Sequence, residues 1–181
     1  MIKEIKRNYN TELVTNRLLL TPWNLSFTKK MYENWASDPR VTKYLFWYPH
    51  KNMEETEQII LSWMNKPNYN WCIRLKETGE PIGSLELVKN NEKDFKGEIG
   101  YCLGYNYWNK GYMTEALKKV VEFLFSEGYN KLELRHAVEN VASGRVMQKA
   151  GLSFLVTSPQ DCYVKGKFYN CNYYYILNPN S

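Results

Sequence analysis

The chain contains 181 residues, of which 44% are hydrophobic and 24% charged; this fits one globular domain, over residues 1–181, that folds without a metal or disulfide. No apolar run approaches the ~20 residues that a membrane-spanning helix requires, so we expect no membrane partner. The net charge of +5 suits a polyanionic ligand, but the basic residues are scattered, which argues against a nucleic-acid surface.

The first half of the chain predicts two helices between strands. In chain order we predict a strand at 13–23, a helix ending near 37, an irregular aromatic segment at 41–50, a helix at 53–64, and strands at 70–75 and 82–88. Asn24 and Asn52 are suited to cap the helices, and Pro39 ends the first one. In the second helix, the predicted buried face consists of Ile59, Ile60, Trp63 and Met64.

The second half predicts alternating strands and helices. The strands are predicted at 95–103, 131–138, 152–157 and 167–177, and the helices at 112–127 and 141–150. The helix at 112–127 has the clearest apolar periodicity, and Gly128 ends it. Strands on either side of a helix run parallel with a right-handed crossover, while the other neighbours form hairpins. We therefore predict a mixed, mostly antiparallel α/β (α+β) sheet with helices on both faces.

Cysteine spacing and the first residues bear on the compartment. The cysteines, Cys72, Cys102, Cys162 and Cys171, form no C-x-x-C pair, and the two histidines are far apart in sequence. We therefore expect no metal site and four reduced thiols in a cytoplasmic protein. Residues 1–7 are charged and precede no apolar core, so we expect no secretory leader.

The segment between the strand at 95–103 and the next helix resembles an anion site. A helix N-terminus offers unpaired N–H groups and a partial positive charge. Gly111 permits close approach of a ligand, Lys110 adds a charge and Thr114 adds a hydroxyl. A pyrophosphate fits this pattern, although a plain helix start explains the same residues. The segment is neither a P-loop nor G-x-G-x-x-G, which disfavours nucleotide hydrolysis and dinucleotide binding.

Three segments resemble the GNAT superfamily of acetyl-CoA-dependent N-acetyltransferases. Residues 108–116, WNKGYMTEA, are similar to W-G-K-G-Y-M/A-T-E-A of the RimJ/RimL-like ribosomal-protein branch, from which only Asn109 departs. Residues 140–152, NVASGRVMQKAGL, resemble the N-x-x-S-x-R-V-M-x-K-x-G-F of that branch, and residues 15–20, TNRLLL, its T-x-R-L-x-L start. The resemblance covers about residues 13–177.

The resemblance implies a sheet that splays between the strands at 95–103 and 131–138. The pantetheine arm of the coenzyme lies in that gap, and its pyrophosphate binds the helix start. The residues implied as coenzyme contacts are Tyr101, Cys102, Leu103, Asn109, Lys110, Gly111, Tyr112, Met113, Thr114, Asn140 and Ser143.

Acetyl transfer requires a neutral amine and an acceptor for its proton. An α-amine, with a pKa of about 8, needs little help near pH 7, whereas a lysine costs roughly 4 kcal/mol to deprotonate. The resemblance places a catalytic carboxylate near the thioester, so Glu98 is the expected base, acting through water. Glu86, on the preceding strand, is the second choice, but a solvent-facing strand carboxylate explains it more simply.

The departing thiolate needs a proton. The tyrosine acid of many relatives is replaced here by Met147, and the resemblance gives Ser143 the role of protonating or stabilising the thiolate. Ser143 is also suited to be a helix N-cap. Cys102 lies beside the expected thioester, but no neighbouring base lowers its pKa, so we expect direct transfer in a ternary complex.

The acceptor pocket is expected between the aromatic segment at 44–50 and the final hairpin around 163–173. The predicted acceptor contacts are Phe46, Trp47, Tyr48 and Glu86. Aromatic walls suit a peptide end or an apolar amine, but these side chains explain a hydrophobic core equally well. The resemblance implies a protein N-terminal α-amine as acceptor. The alternatives are an antibiotic or polyamine amine, or an acyl-CoA-binding protein without activity.

Overall fold

Eight strands form the framework of the described chain. The computed structural model describes residues 7–180. Residues 1–6 and 181 lie outside the described residues, and they include most of the charged start from which we expected no secretory leader. In chain order the strands are β1 (Leu13–Val14), β2 (Leu18–Thr21), β3 (Asn70–Leu75), β4 (Pro81–Asn91), β5 (Lys96–Leu103), β6 (Lys131–Ala137), β7 (Ser153–Val164) and β8 (Lys167–Leu177). They form one sheet in the order β1-β2-β3-β4-β5-β6-β8-β7.

Helices connect these strands. In the described residues they are α1 (Thr28–Met31), α2 (Pro39–Thr42), α3 (Met53–Met64), α4 (Tyr112–Ser126) and α5 (Val141–Lys149). Two 3-10 turns lie at Leu25–Phe27 and Tyr105–Tyr107, and a π-helical turn at Tyr32–Ala36.

Each face of the sheet carries its own hydrophobic cluster. Because side chains alternate along a strand, Trp71 and Ile73 of β3 pack with α4 and α5, whereas Cys72 packs with α1, α2 and α3. We call these two sides the α4 face and the α1 face. The predicted mixed sheet with helices on both faces is therefore confirmed.

The parallel pair of the sheet separates along its length. β5 and β6 pair at three positions, from Lys96–Lys131 to Glu98–Glu133. Farther along, β5 stays paired with β4 as far as Leu103, and β6 stays paired with β8 as far as Ala137. No pairing joins β5 to β6 over that stretch of the described chain. We call this opening the β5–β6 gap, and it is the expected splay.

The prediction of one strand at 13–23 is wrong, because the chain folds back at residues 15–17. Leu13 of β1 lies opposite Leu20 of β2. The Leu18 N–H donates to the Thr15 hydroxyl at 2.9 Å, and that hydroxyl donates to the Glu115 carboxylate at 2.6 Å. Glu115 comes 100 residues after Thr15, so the contact that holds this turn against α4 is not visible in residues 15–18 themselves.

The first predicted helix is less regular than expected. Asn24 caps it by accepting from the Ser26 N–H at 2.9 Å. The helix then passes from a 3-10 turn through α1 to the π-helical turn. Asp38 accepts from the Arg40 N–H at 2.8 Å and caps α2, which begins at Pro39 and extends into the first two residues of the segment predicted to be irregular. Proline therefore starts a new helix here as well as ending the previous one.

The second predicted helix has the expected bounds, and Asn52 caps it by accepting from the Glu55 N–H at 3.0 Å. Its buried face is narrower than predicted. Ile60 is buried as expected, together with Thr56, but Ile59 and Met64 are exposed. A surface helix buries one stripe of side chains. Ile60 and Trp63 lie on that stripe, whereas their neighbours Ile59 and Met64 lie outside it.

The final hairpin differs most from prediction. Two bulges, at Phe154/Val156 and Ser158/Cys162, let β7 continue to Val164. Cys162 and Cys171 meet across the hairpin and form a disulfide, with their Cα atoms 5.8 Å apart. The expectation of four reduced thiols is therefore wrong for this pair, because strand register rather than sequence spacing brings the sulfurs together.

Candidate active site

The open edge of β5 forms one wall of the site. Tyr101, Cys102 and Leu103 pair with β4 on one side, and their other side faces the β5–β6 gap. An extended amide chain can pair with a strand edge of this kind. The three predicted contacts for pantetheine are therefore brought together where the resemblance requires them.

Tyr101 and Ser143 bridge the gap. The Tyr101 hydroxyl donates to the Ser143 carbonyl at 3.0 Å and lies 2.9 Å from the Ser143 hydroxyl. Burial raises the pKa of Tyr101 far above its usual range, so this hydroxyl stays protonated. The family resemblance implied a backbone contact for Tyr101 but not this side-chain bridge, which depends on how β5 and α5 pack.

Asn140 begins α5. Its side-chain oxygen accepts from the Ser143 N–H at 3.4 Å. The N-cap position considered for Ser143 is therefore occupied by Asn140, and Ser143 lies in the first turn of the helix. Because the cap uses the oxygen of the Asn140 amide, the amide nitrogen is the group that can donate to a ligand.

The loop before α4 presents an open helix start. Asn109 and Gly111 have φ angles of 59° and 79°, and Gly111 is the N-cap residue of α4, with no side-chain hydrogen bond to the cap. The Trp108 indole donates to the Leu103 carbonyl at 2.7 Å and fixes the loop to the end of β5. Successive N–H groups in such a backbone form a concave anion site.

The side chains of the predicted anion-site residues differ in their exposure. Lys110 is exposed, with Nζ 5.8 Å from the centre of the Tyr107 ring. The Met113 side chain is buried in the core on the α4 face, so only the backbone of this residue is available to a ligand. Tyr112 lies under Arg17, and Thr114 is half-buried in the first turn.

Glu98 lies at the closed end of the β5–β6 gap, and two cationic side chains bind its carboxylate. Its carboxylate accepts from Lys89 Nζ at 2.6 Å and from Arg135 Nε at 3.0 Å. Arg135 also donates to the Tyr173 hydroxyl at 3.3 Å, and Tyr173 donates to Asp161. Glu98 is thus part of a chain of polar contacts that crosses the sheet from β4 to β7.

Glu86 has a different environment. It lies opposite Gly100 of β5 and Asn70 of β3, and Asn70 Nδ2 donates to its carboxylate at 3.3 Å. Asn70 Oδ1 in turn accepts from the Trp23 indole at 2.8 Å. Burial raises the pKa of Glu86, and Lys66 offsets this only in part. Glu86 is only partly exposed, so it is less solvent-facing than the sequence led us to expect.

Cys102 is a poor nucleophile. Burial raises the pKa of its thiol to about 11, and Ser84 Oγ lies 3.2 Å from the sulfur. A thiol with this pKa is protonated near pH 7. The geometry therefore gives no support to an acyl-cysteine intermediate.

The aromatic segment at 44–50 contacts the final hairpin. Tyr44 packs edge-on against Tyr169, with ring centres 5.7 Å apart, and Lys165 Nζ donates to the Thr42 carbonyl at 2.5 Å. Within the segment, Trp47 packs into the core of the α1 face. Phe46 and Tyr48 are 65% and 66% exposed. The segment is therefore both core and surface, with alternate aromatics on each side.

Two further properties concern ions and membranes. Among residues 7–180, no group of three or more His, Cys, Asp or Glu side chains is placed to hold a metal ion. No helix in that part of the chain is long and apolar enough to span a bilayer.

Comparisons with known proteins agree with the fold and show the family. A family model of the acetyltransferase (GNAT) domain matches residues 17–153. "Uncharacterized N-acetyltransferase p20" of Bacillus licheniformis is 32% identical over 151 residues, which are 77% of this chain and 84% of that protein. "Putative ribosomal N-acetyltransferase YdaF" of Bacillus subtilis (strain 168) is 27% identical over 143 residues, 76% of this chain and 78% of that protein. A GNAT-family acetyltransferase structure from Bacillus anthracis matches with a TM-score of 0.85 and 24% identity, over 93% of this chain and 99% of that one.

The splayed sheet and the open helix start are thus those of an acyltransferase, and the chain belongs to the GNAT acetyltransferase family. It is an N-acetyltransferase that uses acetyl-CoA. The residues present suit that cofactor, because the unpaired edge of β5 leads directly to the open start of α4.

Proposed function

We propose that the enzyme acetylates the α-amine of a protein N-terminus, as in the RimJ/RimL-like branch. The observation that carries the acetyl transfer is the β5–β6 gap, which leaves the edge of β5 unpaired next to the open start of α4. A relative named as a ribosomal N-acetyltransferase supports the choice of acceptor. An α-amine is also easier to deprotonate than a lysine, because its pKa is about 8.

The coenzyme would occupy the gap with its diphosphate at the start of α4. The N–H groups of residues 109–114 would hold the diphosphate, and the 101–103 edge would pair with the pantetheine amides. Asn140 supports this placement, because its oxygen caps α5 and leaves its amide nitrogen to donate to a pantetheine carbonyl. A backbone N–H near Cys102 or Leu103 would polarise the thioester carbonyl.

Two carboxylates are proposed to accept the amine proton, and the geometry favours Glu86 over Glu98. Both face the α1 side of the sheet, since Glu86 lies opposite Gly100, which is two residues from Glu98 on β5. The Glu98 oxygens are bound by Lys89 and Arg135, whereas the contact of Glu86 is a neutral amide. A base with a raised pKa is better matched to proton transfer near pH 7.

Ser143 is proposed to stabilise the departing thiolate. Its hydroxyl lies at the α5 end of the gap, and Tyr101 holds it there by the contacts described above. A donated hydrogen bond from Ser143 to sulfur, or a proton supplied through it by water, completes the direct transfer.

The acceptor is proposed to bind against Phe46 and Tyr48. Lys43 Nζ lies 5.1 Å from the Tyr44 ring and Lys165 Nζ lies 5.3 Å from the Tyr48 ring. A polyamine would meet like charge on this wall, whereas a peptide end with one amine would meet much less of it. This favours the peptide over the polyamine. A small apolar amine remains the second candidate, because the exposed aromatics would pack against it equally well.

The first experiment is calorimetric titration with acetyl-CoA, followed by an assay of thiol release. The acceptors are an unblocked peptide, the same peptide with its α-amine blocked and one free lysine, and small amines that include spermidine. Thiol release with the unblocked peptide alone supports the proposal. Release with small amines alone contradicts the choice of acceptor, and binding without release from any of them contradicts an active enzyme. No acetyl-CoA binding would overturn the site.

A further inference from the structure

The T-x-R segment at 15–17 lies against the anion loop, far from it in sequence. Arg17 makes three charged contacts with α4 and the residues before it. Its Nε donates to the Glu115 carboxylate at 2.7 Å, its Nη1 donates to the Lys110 carbonyl at 2.9 Å, and its guanidinium lies 4.5 Å from the centre of the Tyr112 ring. The Arg17 backbone N–H also donates to Glu115 at 2.8 Å.

The contact with the Lys110 carbonyl has a consequence for the next N–H. In a trans peptide the C=O and N–H groups point in opposite directions, and the described chain has no cis peptide. Because the Lys110 carbonyl points toward Arg17, the Gly111 N–H points away from Arg17. We propose that Arg17 is a positioning residue that turns this N–H toward the coenzyme diphosphate, a role that rests on the coenzyme placement proposed above.

Gly111 makes this orientation dependent on an external support. With φ of 79°, Gly111 lies in the left-handed region, and glycine populates positive and negative φ about equally. A peptide next to such a residue can rotate without the steric barrier that a side chain would impose. Arg17 therefore supplies the restraint that the loop's own sequence does not.

The charge of Glu115 indicates whether Arg17 acts through its own charge or through the geometry of its hydrogen bonds. The Glu115 carboxylate is held by Thr15 and Arg17; although burial acts to raise its pKa, these hydrogen bonds keep the pKa below its ordinary value. Glu115 is therefore ionised and neutralises the guanidinium at close range. A neutral ion pair adds little attraction for an anion, so the fork of the guanidinium matters more than its charge.

The test measures acetyl-CoA affinity and steady-state kinetics for Arg17→Ala and Arg17→Lys. We expect both variants to raise the Kd and KM for acetyl-CoA by about 10-fold or more, the effect of losing a charged hydrogen bond. The kcat at saturating acetyl-CoA and the KM of the acceptor should change by less than about twofold, because the reacting groups are elsewhere. Lysine should not rescue, since one ammonium cannot reproduce the planar contacts to Glu115 and Lys110.

The matched control is Lys119→Ala, which also removes one cation bound to a glutamate of α4. Lys119 Nζ lies 3.1 Å from Glu122, outside the loop, and its loss should leave acetyl-CoA affinity unchanged. Wild-type affinity in Arg17→Lys, or an equal loss in Lys119→Ala, would overturn the positioning role in favour of simple charge. A loss of kcat in Arg17→Ala as large as the change in KM would also overturn it.

Failure of this inference is distinguishable from failure of the coenzyme placement. The placement fails if Gly111→Val binds acetyl-CoA normally, because that variant changes the loop itself. The positioning role fails if Gly111→Val loses binding while Arg17→Ala keeps it. Thermal unfolding of Arg17→Ala should be measured alongside, and a folded variant with weakened acetyl-CoA binding is the supporting result.

Discussion

Two glutamates on the same face of the sheet differ in what surrounds them. Glu98 has a cation on each carboxylate oxygen, whereas Glu86 has a neutral amide donor and a raised pKa. Both were identifiable in the sequence as strand carboxylates near the expected thioester. Their ranking as bases was not, because Lys89, Arg135 and Asn70 reach them from three different strands.

Replacing Glu86 with glutamine should lower kcat by about 100-fold or more, the usual contribution of a general base. The wild-type rate should rise with pH through the raised pKa of Glu86, because the base acts when ionised, and the variant should lack this limb. The measurement is a pH–rate profile for both proteins. Glu98→Gln is the matched comparison, and we expect it to keep the limb; if Glu98→Gln loses it and Glu86→Gln does not, Glu98 is the base.

The same substitution has a predicted effect on folding. A carboxyl whose pKa is raised in the folded state favours protonation there, so wild-type stability is fully present at low pH and falls as pH rises through the folded pKa. Glu86→Gln should therefore match the wild type in urea unfolding near pH 4 and exceed it near pH 8. This result also separates a kinetic defect from a misfolded variant.

At the scale of elements, the turn from β5 into α4 depends on two residues with positive φ. Asn109 and Gly111 give the loop its concave backbone, and Trp108 fastens it to Leu103. The helix start was predictable because glycine, a hydroxyl and an apolar period follow one another within a few residues. The support from Arg17 was not predictable, since residues 15–17 were assigned to a continuous strand.

Gly111→Val should abolish measurable acetyl-CoA binding. A β-branched residue at φ 79° is strained by roughly 1–3 kcal/mol, and its Cβ would lie 3.4 Å from Arg17 Nη2, so the loop backbone that faces the diphosphate would have to shift. Gly79→Val is the matched control, because Gly79 has φ of 73° in the turn between β3 and β4. It should lose stability but keep its affinity in calorimetry. Normal binding by Gly111→Val would remove the loop from the site.

The β7–β8 hairpin carries the disulfide and one wall of the proposed acceptor site. Its nine-residue separation closes a short loop, so reduction should cost about 2–3 kcal/mol of stability. Urea unfolding with and without a thiol reductant measures this. The double variant Cys162→Ser/Cys171→Ser should show no response to reductant, and an unchanged wild-type midpoint would mean that the disulfide contributes nothing.

For the whole molecule, Arg7 joins distant parts of the chain at the end of the sheet remote from the anion loop. Its side chain is only 4% exposed; Nη1 donates to the Glu127 carbonyl at 3.1 Å, and Nε lies 3.2 Å from Glu92. The guanidinium also lies 4.7 Å from the centre of the Tyr129 ring. A cation at the C-terminus of α4 complements the helix dipole and the acidic side chains there.

Arg7→Met should therefore destabilise the protein by roughly 2 kcal/mol, because it removes the charged hydrogen bond to the Glu127 carbonyl. Its acidic partners keep Tyr9 and Tyr69 as donors. Arg40→Met is the matched control, since Arg40 pairs with Asp38 on an exposed surface, and it should cost less than about 1 kcal/mol. Chemical unfolding of both variants checks the difference. Equal effects would show that the Arg7 cluster is no stronger than a surface pair.

The sequence by itself determined the elements with strong local patterns. The bounds of α3, β3 and β8 match prediction, and those of α4 differ by one residue, because apolar periodicity and capping residues act within a few positions. The GNAT motifs likewise indicated the family, and the strand–helix–strand order of residues 95–138 predicted the parallel β5–β6 pair. These features are encoded in short, contiguous segments.

The tertiary structure alone decided which polar groups meet. It held the turn at residues 15–17 against Glu115, joined Tyr101 to Ser143, and paired Cys162 with Cys171. Each of these contacts depends on strand register or on packing between elements. Register and packing are set by the whole core, so no single segment of the sequence specifies them.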